Sequence, residues 1–131
     1  MLTIHSALFQ CSGGLDSTSL LIASQLSQTS KDDVGTLIFD QYVNCDERTN
    51  AKLVVQSTNL SWSTIIADEL LPFSNIDHIE SMYIADEPSL DLCFYPWSLA
   101  FFQLAKKLDH KNIISGHGGD SLLVGNKTYL A

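Results

Sequence analysis

Basic residues are scarce in this 131-residue chain. Seven lysines and arginines stand against fifteen aspartates and glutamates, a net charge of −8. So few cations build no basic stripe, which argues against a nucleic-acid partner. Cysteine is sparse too. Cys11, Cys45 and Cys93 lie far apart and form no CxxC pair, so they read as ordinary thiols, neither a disulfide framework nor a zinc site. The histidines, His5, His78, His110 and His117, are equally dispersed, and no metal site of His or Cys is expected. No apolar run is long enough to cross a bilayer, and no N-terminal stretch joins a basic start to a long apolar segment. The expected setting is the cytoplasm, with no membrane partner. Repeats, low-complexity tracts and linkers are missing as well, so residues 1–131 read as one domain.

What is present is a hydrophobic content of 45% with 17% charged residues, which suits an ordered globule. Thr3 to Gln10 reads as a strand that runs into a Ser-Gly-Gly turn. Asp16 to about Gln28 reads as a helix, largely buried because no charge follows Asp16. Gly35 to Asp40 is a second strand, its apolar run suited to a buried parallel position. Asp46 is expected to cap a second helix, with Glu47 in its first turn and Leu53, Val54 and Val55 as its apolar surface. Trp62 to Ala67 forms a third strand. Pro72 and Pro88 break up the irregular stretch that follows. Pro96 opens a third helix reaching about Asp109, where Trp97, Ala100, Phe101, Leu104, Ala105 and Leu108 keep the spacing of one buried face. Lys111 to Ser115 is a short fourth strand.

This alternation implies an α/β fold: a doubly wound parallel sheet of about four strands with flanking helices. In the common order 3-2-1-4, winding reverses between strands 1 and 4, and ligands bind beyond the strand ends at that switch point. The loops leaving those two strands are the glycine-rich ones, Ser12-Gly13-Gly14-Leu15-Asp16-Ser17-Thr18 and Gly116-His117-Gly118-Gly119-Asp120.

In the first loop, Gly13 and Gly14 allow a sharp turn and close approach to a phosphate. The next helix aims unpaired N–H groups and its positive dipole end at the same point, and Ser12, Ser17 and Thr18 add hydroxyl donors. A bare carboxylate at Asp16 would repel phosphate, so a bridging Mg²⁺ is implied, with Asp120 as a second carboxylate. Either loop alone also fits a structural strand-to-helix turn, with Asp16 as a helix cap. His117 taken alone fits an ordinary loop histidine, and Asp86-Glu87-Pro88 an acidic turn.

The run Ser12 to Ser17 resembles the signature of the PP-loop ATP pyrophosphatases. Asp46-Glu47, Asp86-Glu87-Pro88 and Ser115-Gly116-x-Gly118-x-Asp120 narrow the resemblance to the synthetase domain of the asparagine synthetase B-type family, which includes β-lactam synthetases and lasso-peptide macrolactam synthetases. It covers about residues 3–126. It implies ATP and Mg²⁺ as cofactors, with Asp16 and Asp120 as the Mg²⁺ ligands. The pyrophosphate cradle would be Ser12, Gly13, Gly14, Leu15, Asp16, Ser17 and Thr18. Adenosine would lie against Cys11, Phe39, Ser115 and Gly116, with Gly118 and Gly119 completing the second loop. A substrate carboxylate would attack the α-phosphate, and an amine would then displace AMP to leave an amide.

His117 stands where asparagine synthetases have a glutamate, and β-lactam synthetases a tyrosine, that acts in the second half-reaction; it is the candidate catalytic residue. The Gly-His-Gly-Gly-Asp variant looks more like the macrolactam synthetases, whose acid and amine belong to one peptide. Asp120 is followed by Ser121, where asparagine synthetases usually carry glutamate. The family's glutaminase domain does not appear here, since Met1 is followed by Leu2. Lys127 follows Asp120 too soon to be the catalytic lysine of the C-terminal part. The expectation is therefore an incomplete synthetase domain, completed by a further segment or subunit. A non-catalytic ATP- or AMP-binding module is the alternative. A PP-loop sulfur-transfer or tRNA-modifying enzyme is a third, disfavoured by the acidic balance, the missing CxxC and the second glycine loop.

Overall fold

The computed structural model describes residues 6–26, 31–74 and 93–119. Its elements run β1 (Leu8–Gln10), α1 (Leu15–Gln25), β2 (Asp33–Ile38), a 3-10 turn (Val43–Cys45), α2 (Arg48–Gln56), β3 (Ser61–Ile66), α3 (Tyr95–Lys107) and β4 (Ile113–Ser115). The four strands form one parallel sheet in the order β3-β2-β1-β4, the expected doubly wound arrangement.

Alternation along the strands explains why both faces are apolar. Ala7, Phe9, Cys11 and Val34 turn to the face covered by Leu21 of α1 and Val55 of α2. Leu8, Leu37, Ile65 and Ile113 turn to the opposite face, where Phe101, Leu104 and Ala105 of α3 pack. Gly35 sits under α3 because a Cβ there would come within 2.9 Å of the Phe101 ring. The buried hydroxyl of Thr36 is paired on both sides of its strand. Thr36 Oγ1 donates to the Cys11 carbonyl (2.8 Å) and accepts from Trp62 Nε1 (3.0 Å).

The helix ends follow local rules. Pro96 lies in the first turn of α3, where its missing N–H costs nothing, and Lys106 and Lys107 sit in the last turn, where the dipole favours cations. Asp109 then takes φ 60°, and the His110 N–H bonds back to the Ala105 carbonyl (2.8 Å), a six-to-one closure of the Schellman type. That turn drives His110 into the fold, where Nε2 meets Asp33 Oδ2 at 2.6 Å.

Several expectations need correction. The strand expected from Thr3 begins at Leu8 among the described residues, β2 spans Asp33–Ile38, not Gly35–Asp40, and β4 begins at Ile113, not Lys111. Helix α1 is not largely buried: only Ser17 and Leu21 are, while Leu15 and Leu26 are 80% and 83% exposed and Leu20 and Ile22 are exposed too. Lack of charge marked a helix of low amphipathicity, not a covered one. On α2, Leu53 points outward, and the inward pair is Ala51 and Val55, four residues apart. Asp46 does not cap α2, whose N-cap is Glu47 with no side-chain bond. Asp86-Glu87-Pro88, Asp120 and Lys127 lie outside the described residues.

Candidate nucleotide site

The β1–α1 loop is braced by its own hydroxyls. Ser12 Oγ accepts the Gly14 N–H (3.3 Å), and Ser17 Oγ donates to the Gly14 carbonyl (3.3 Å) while accepting the Ser12 N–H (3.4 Å). The hydroxyls expected to face a ligand thus serve the loop first; Thr18 Oγ1 is buried with no partner among the described residues. Gly13 has φ +85°, and a Cβ there would lie 2.6 Å from the Ala51 N of α2, so the turn is wedged against the neighbouring helix. The first bond of α1 runs from Thr18 N–H to the Gly14 carbonyl (3.1 Å). The N–H groups of Leu15, Asp16 and Ser17 precede it and have no helical partner.

The β4 loop packs directly on this helix start. A Cβ at Gly116 would lie 2.7 Å from the Ser17 N, and one at Gly119 would overlap the Asp16 carboxylate. Gly118, with φ +82°, supplies the turn between them. Both loops open into one cavity of about 780 Å³. Ser12, Gly14, Leu15, Asp16 and Ser17 line it on one side, and Ser115, Gly116, His117 and Gly118 on another. The Asp16 carboxylate is half-buried there, with no hydrogen-bond partner among the described residues. His117 is exposed; its N–H reaches Ser115 Oγ at 3.4 Å.

Not every expected residue reaches the cavity wall. Cys11 is buried in the core, its N–H held by the Gly35 carbonyl (3.0 Å). Phe39 has its backbone engaged: its N–H donates to Asp46 Oδ1 (3.0 Å) and its carbonyl accepts from the Arg48 guanidinium (2.9 Å). Gly13, Thr18 and Gly119 do not line the cavity either. Sequence reasoning missed the third wall, which belongs to α3 and its approach: Phe94, Trp97, Ser98, Phe101 and Phe102. Phe94 precedes the helix, and Phe102 falls outside its buried-face spacing; the mismatch at Phe102 was the available signal.

Two carboxylates hold the loop after β2. Asp68, buried just beyond β3, accepts the Asp40 N–H (2.9 Å) and the Gln41 N–H (2.7 Å). The Asp40 amide, against the opposing effect of burial, and then the Gln41 and Tyr42 amides hold its carboxyl below the ordinary value of 3.8. At Asp46, burial would raise the carboxyl, but the Phe39 N–H and the Arg48 guanidinium outweigh it and hold it low. Arg48 also reaches Asp40 at 2.6 Å, so one guanidinium ties three points of the loop together.

Among the described residues no three His, Cys, Asp or Glu side chains gather as a metal cluster, and no helix is long and apolar enough to cross a membrane. The family model described as asparagine synthase matches residues 9–131, nearly the whole chain and both glycine loops. The chain belongs to the asparagine synthase family. Members of this family are ATP-dependent amide-forming ligases that use ATP, typically with Mg²⁺. Comparison with curated proteins found no match.

Proposed function

We propose that this asparagine synthase family chain binds MgATP between its two glycine loops and adenylates a substrate carboxylate for attack by an amine. The observation that carries the proposal is the convergence on one cavity of Leu15, Asp16 and Ser17, whose first-turn N–H groups and Asp16 carboxylate have no partner among the described residues, and the backbone of Gly116 to Gly118. Oriented N–H donors at a helix start suit a phosphate chain. An unpartnered carboxylate beside them suits a cation that the phosphates also hold.

Mg²⁺ binds through one or two carboxylates, substrate phosphates and several waters, so a site without a larger acidic cluster among the described residues is compatible with it. Asp16 would hold the ion, with Asp120 proposed as the second ligand. When bound, it supplies charge neutralisation for the departing pyrophosphate. The chain's own parts position the reactants: the loop of Ser12 to Ser17 fixes the β- and γ-phosphates, and the carboxylate approaches the α-phosphorus in line. The oxygen–phosphorus bond to the acid forms as the bond to pyrophosphate breaks. An amine nitrogen then attacks the acyl carbon, AMP leaves, and the amine's proton must go to a base. His117, exposed on the cavity wall, is the proposed acceptor in its neutral form. The Gly-His-Gly-Gly-Asp loop favours an acid and an amine carried by one peptide, as in lasso-peptide macrolactam formation, over aspartate with ammonia.

A second reading is a nucleotide-binding module whose acceptor site is completed by another segment or subunit. The exposed apolar side chains of α1, Leu15, Leu20 and Ile22, with Leu26 at its C-cap, favour it.

Exchange of labelled pyrophosphate into ATP tests the ligase reading. Exchange that appears only when a carboxylate substrate is added, from a panel including peptides with acidic side chains, supports adenylation. MgATP binding with no exchange across that panel contradicts it and leaves the binding module.

A further inference from the structure

Phosphates held by the Ser12–Ser17 loop leave free the part of the cavity between β1, β4 and α3. Strand alternation decides what faces it. Leu8 and Ile113 turn to the α3 face, and two residues further along each strand come Gln10 and Ser115, paired in register and both on the cavity wall. On its other side Gln10 is paired with Gly35, where the Phe101 ring takes the space of a side chain. Gln10 is thus a half-buried polar residue on the aromatic side of the sheet.

The Gln10 side-chain amide has no hydrogen-bond partner among the described residues. Neither has the hydroxyl of Ser98, which lines the cavity from α3. A ligand that expels water from these groups must itself offer an acceptor and a donor, or leave them unpaired beside Phe101, Phe102 and Ile113. The charge of the wall points the same way. Among the described residues that line the cavity, Asp16 and His117 are the only ionisable side chains, and none is a lysine or arginine. Aspartate would keep an ammonium and a second carboxylate after one carboxylate reacts, and those charges find no such partners on an aromatic wall. A peptide amide is neutral, donates through its N–H and accepts through its carbonyl, so it matches a glutamine side chain at both points.

We propose that Gln10 is a specificity-determining residue that reads a backbone amide of a peptide substrate. Ser98 supplies a second polar contact, and the Phe101 and Phe102 rings take an apolar side chain beside the reacting acid. The substrate class is a carboxylate carried by a peptide, not a free amino acid. The proposal rests on the reading of the loops as a MgATP site that adenylates an acid.

The test uses the full chain with Mg²⁺ and an ATP analogue whose α,β-bridging oxygen is a methylene, so that binding is read without reaction. Calorimetry then compares aspartate with the capped dipeptide acetyl-phenylalanyl-aspartyl amide, which carries the same acidic side chain. The expected result is dipeptide binding at least about tenfold tighter than that of aspartate. Gln10→Leu, close in size but with nothing to donate or accept, should weaken the dipeptide about 5- to 150-fold, the range for two neutral hydrogen bonds, while the ATP analogue still binds. Ser98→Ala, at a helix position that alanine suits, should weaken it about 2- to 12-fold and decides the matter if the leucine variant does not fold. Aspartate bound as tightly as the dipeptide, or neither acid bound beside the analogue, would overturn the proposal and leave the nucleotide reading standing. So would full dipeptide affinity in a folded Gln10→Leu chain, or in Ser98→Ala where that chain does not fold. Failure of the parent chain to bind the analogue overturns the nucleotide reading, and this proposal with it.

Discussion

Gly119 lies so close to Asp16 that a Cβ on the glycine would overlap the aspartate's carboxylate. The two glycine loops therefore meet through a backbone that admits no side chain, and the Asp16 carboxylate is held where they meet. Gly119→Ala should displace Asp16 before it disturbs the core. Overpacking of this kind costs about 1–3 kcal/mol, which at the ligand site corresponds to about a 5- to 150-fold loss of Mg²⁺-dependent ATP affinity. Calorimetric titration beside a thermal melt checks this. Undiminished affinity would show that the contact does not shape the site.

Gly13 and Gly118 share a positive φ but differ in their surroundings. A Cβ at Gly13 would strike the α2 backbone, while one at Gly118 meets nothing within 4 Å. Gly13→Ala should thus cost about 2–4 kcal/mol from strain plus overpacking, and Gly118→Ala about 1 kcal/mol from backbone strain alone. Urea denaturation of both variants separates the terms. Equal losses would mean that α2 does not press on the loop.

Helix α1 carries its burial on one residue of its outward-running leucines and isoleucine. Leu21 is fully buried while Leu20 and Leu26 are exposed. Leu21→Ala should cost about 2–5 kcal/mol, and Leu26→Ala under about 0.5 kcal/mol, in denaturant titrations. A large loss at Leu26 would reveal a cover over that face in solution.

The parts of this fold legible in the sequence were those that depend on local pattern. Strand–glycine–helix order at Gln10–Ser17 and at Ser115–Gly119 located both loops, and the crossover rule brought them together. Burial was harder to read. Leu15, Leu20 and Ile22 look like core by composition, yet their exposure depends on what else packs beside α1, which no local pattern states. Asp46 looked like a helix cap because it precedes a helical run; instead Phe39 and Arg48, brought near by the turn after β2, claim its carboxylate. Asp68 stood at the start of an irregular stretch, and its partners Asp40 and Gln41 lie 28 and 27 residues away. Trp97 read as a core residue of α3, and its place in the cavity wall follows from the tertiary position of that helix's first turn.

Asp68 makes stability depend on pH. Its carboxyl is depressed in the folded state, so its contribution is complete above the ordinary value of 3.8 and disappears as pH falls through the lower folded value. Thermal melts from pH 7 to pH 3 should show the parent chain losing stability in the acid range. Asp68→Asn should melt lower at pH 7 and show a shallower acid decline. Identical melts for the two chains at both ends of the range would remove Asp68 from this role.

The central claim is that the two glycine loops form one MgATP site with Asp16 at its centre. Calorimetric titration of ATP, with and without Mg²⁺, into the parent chain and Asp16→Ala tests it most directly. The account predicts Mg²⁺-dependent binding by the parent and at least about tenfold weaker binding by a variant that keeps its melting transition. ATP affinity that ignores both Mg²⁺ and the loss of the carboxylate would contradict it.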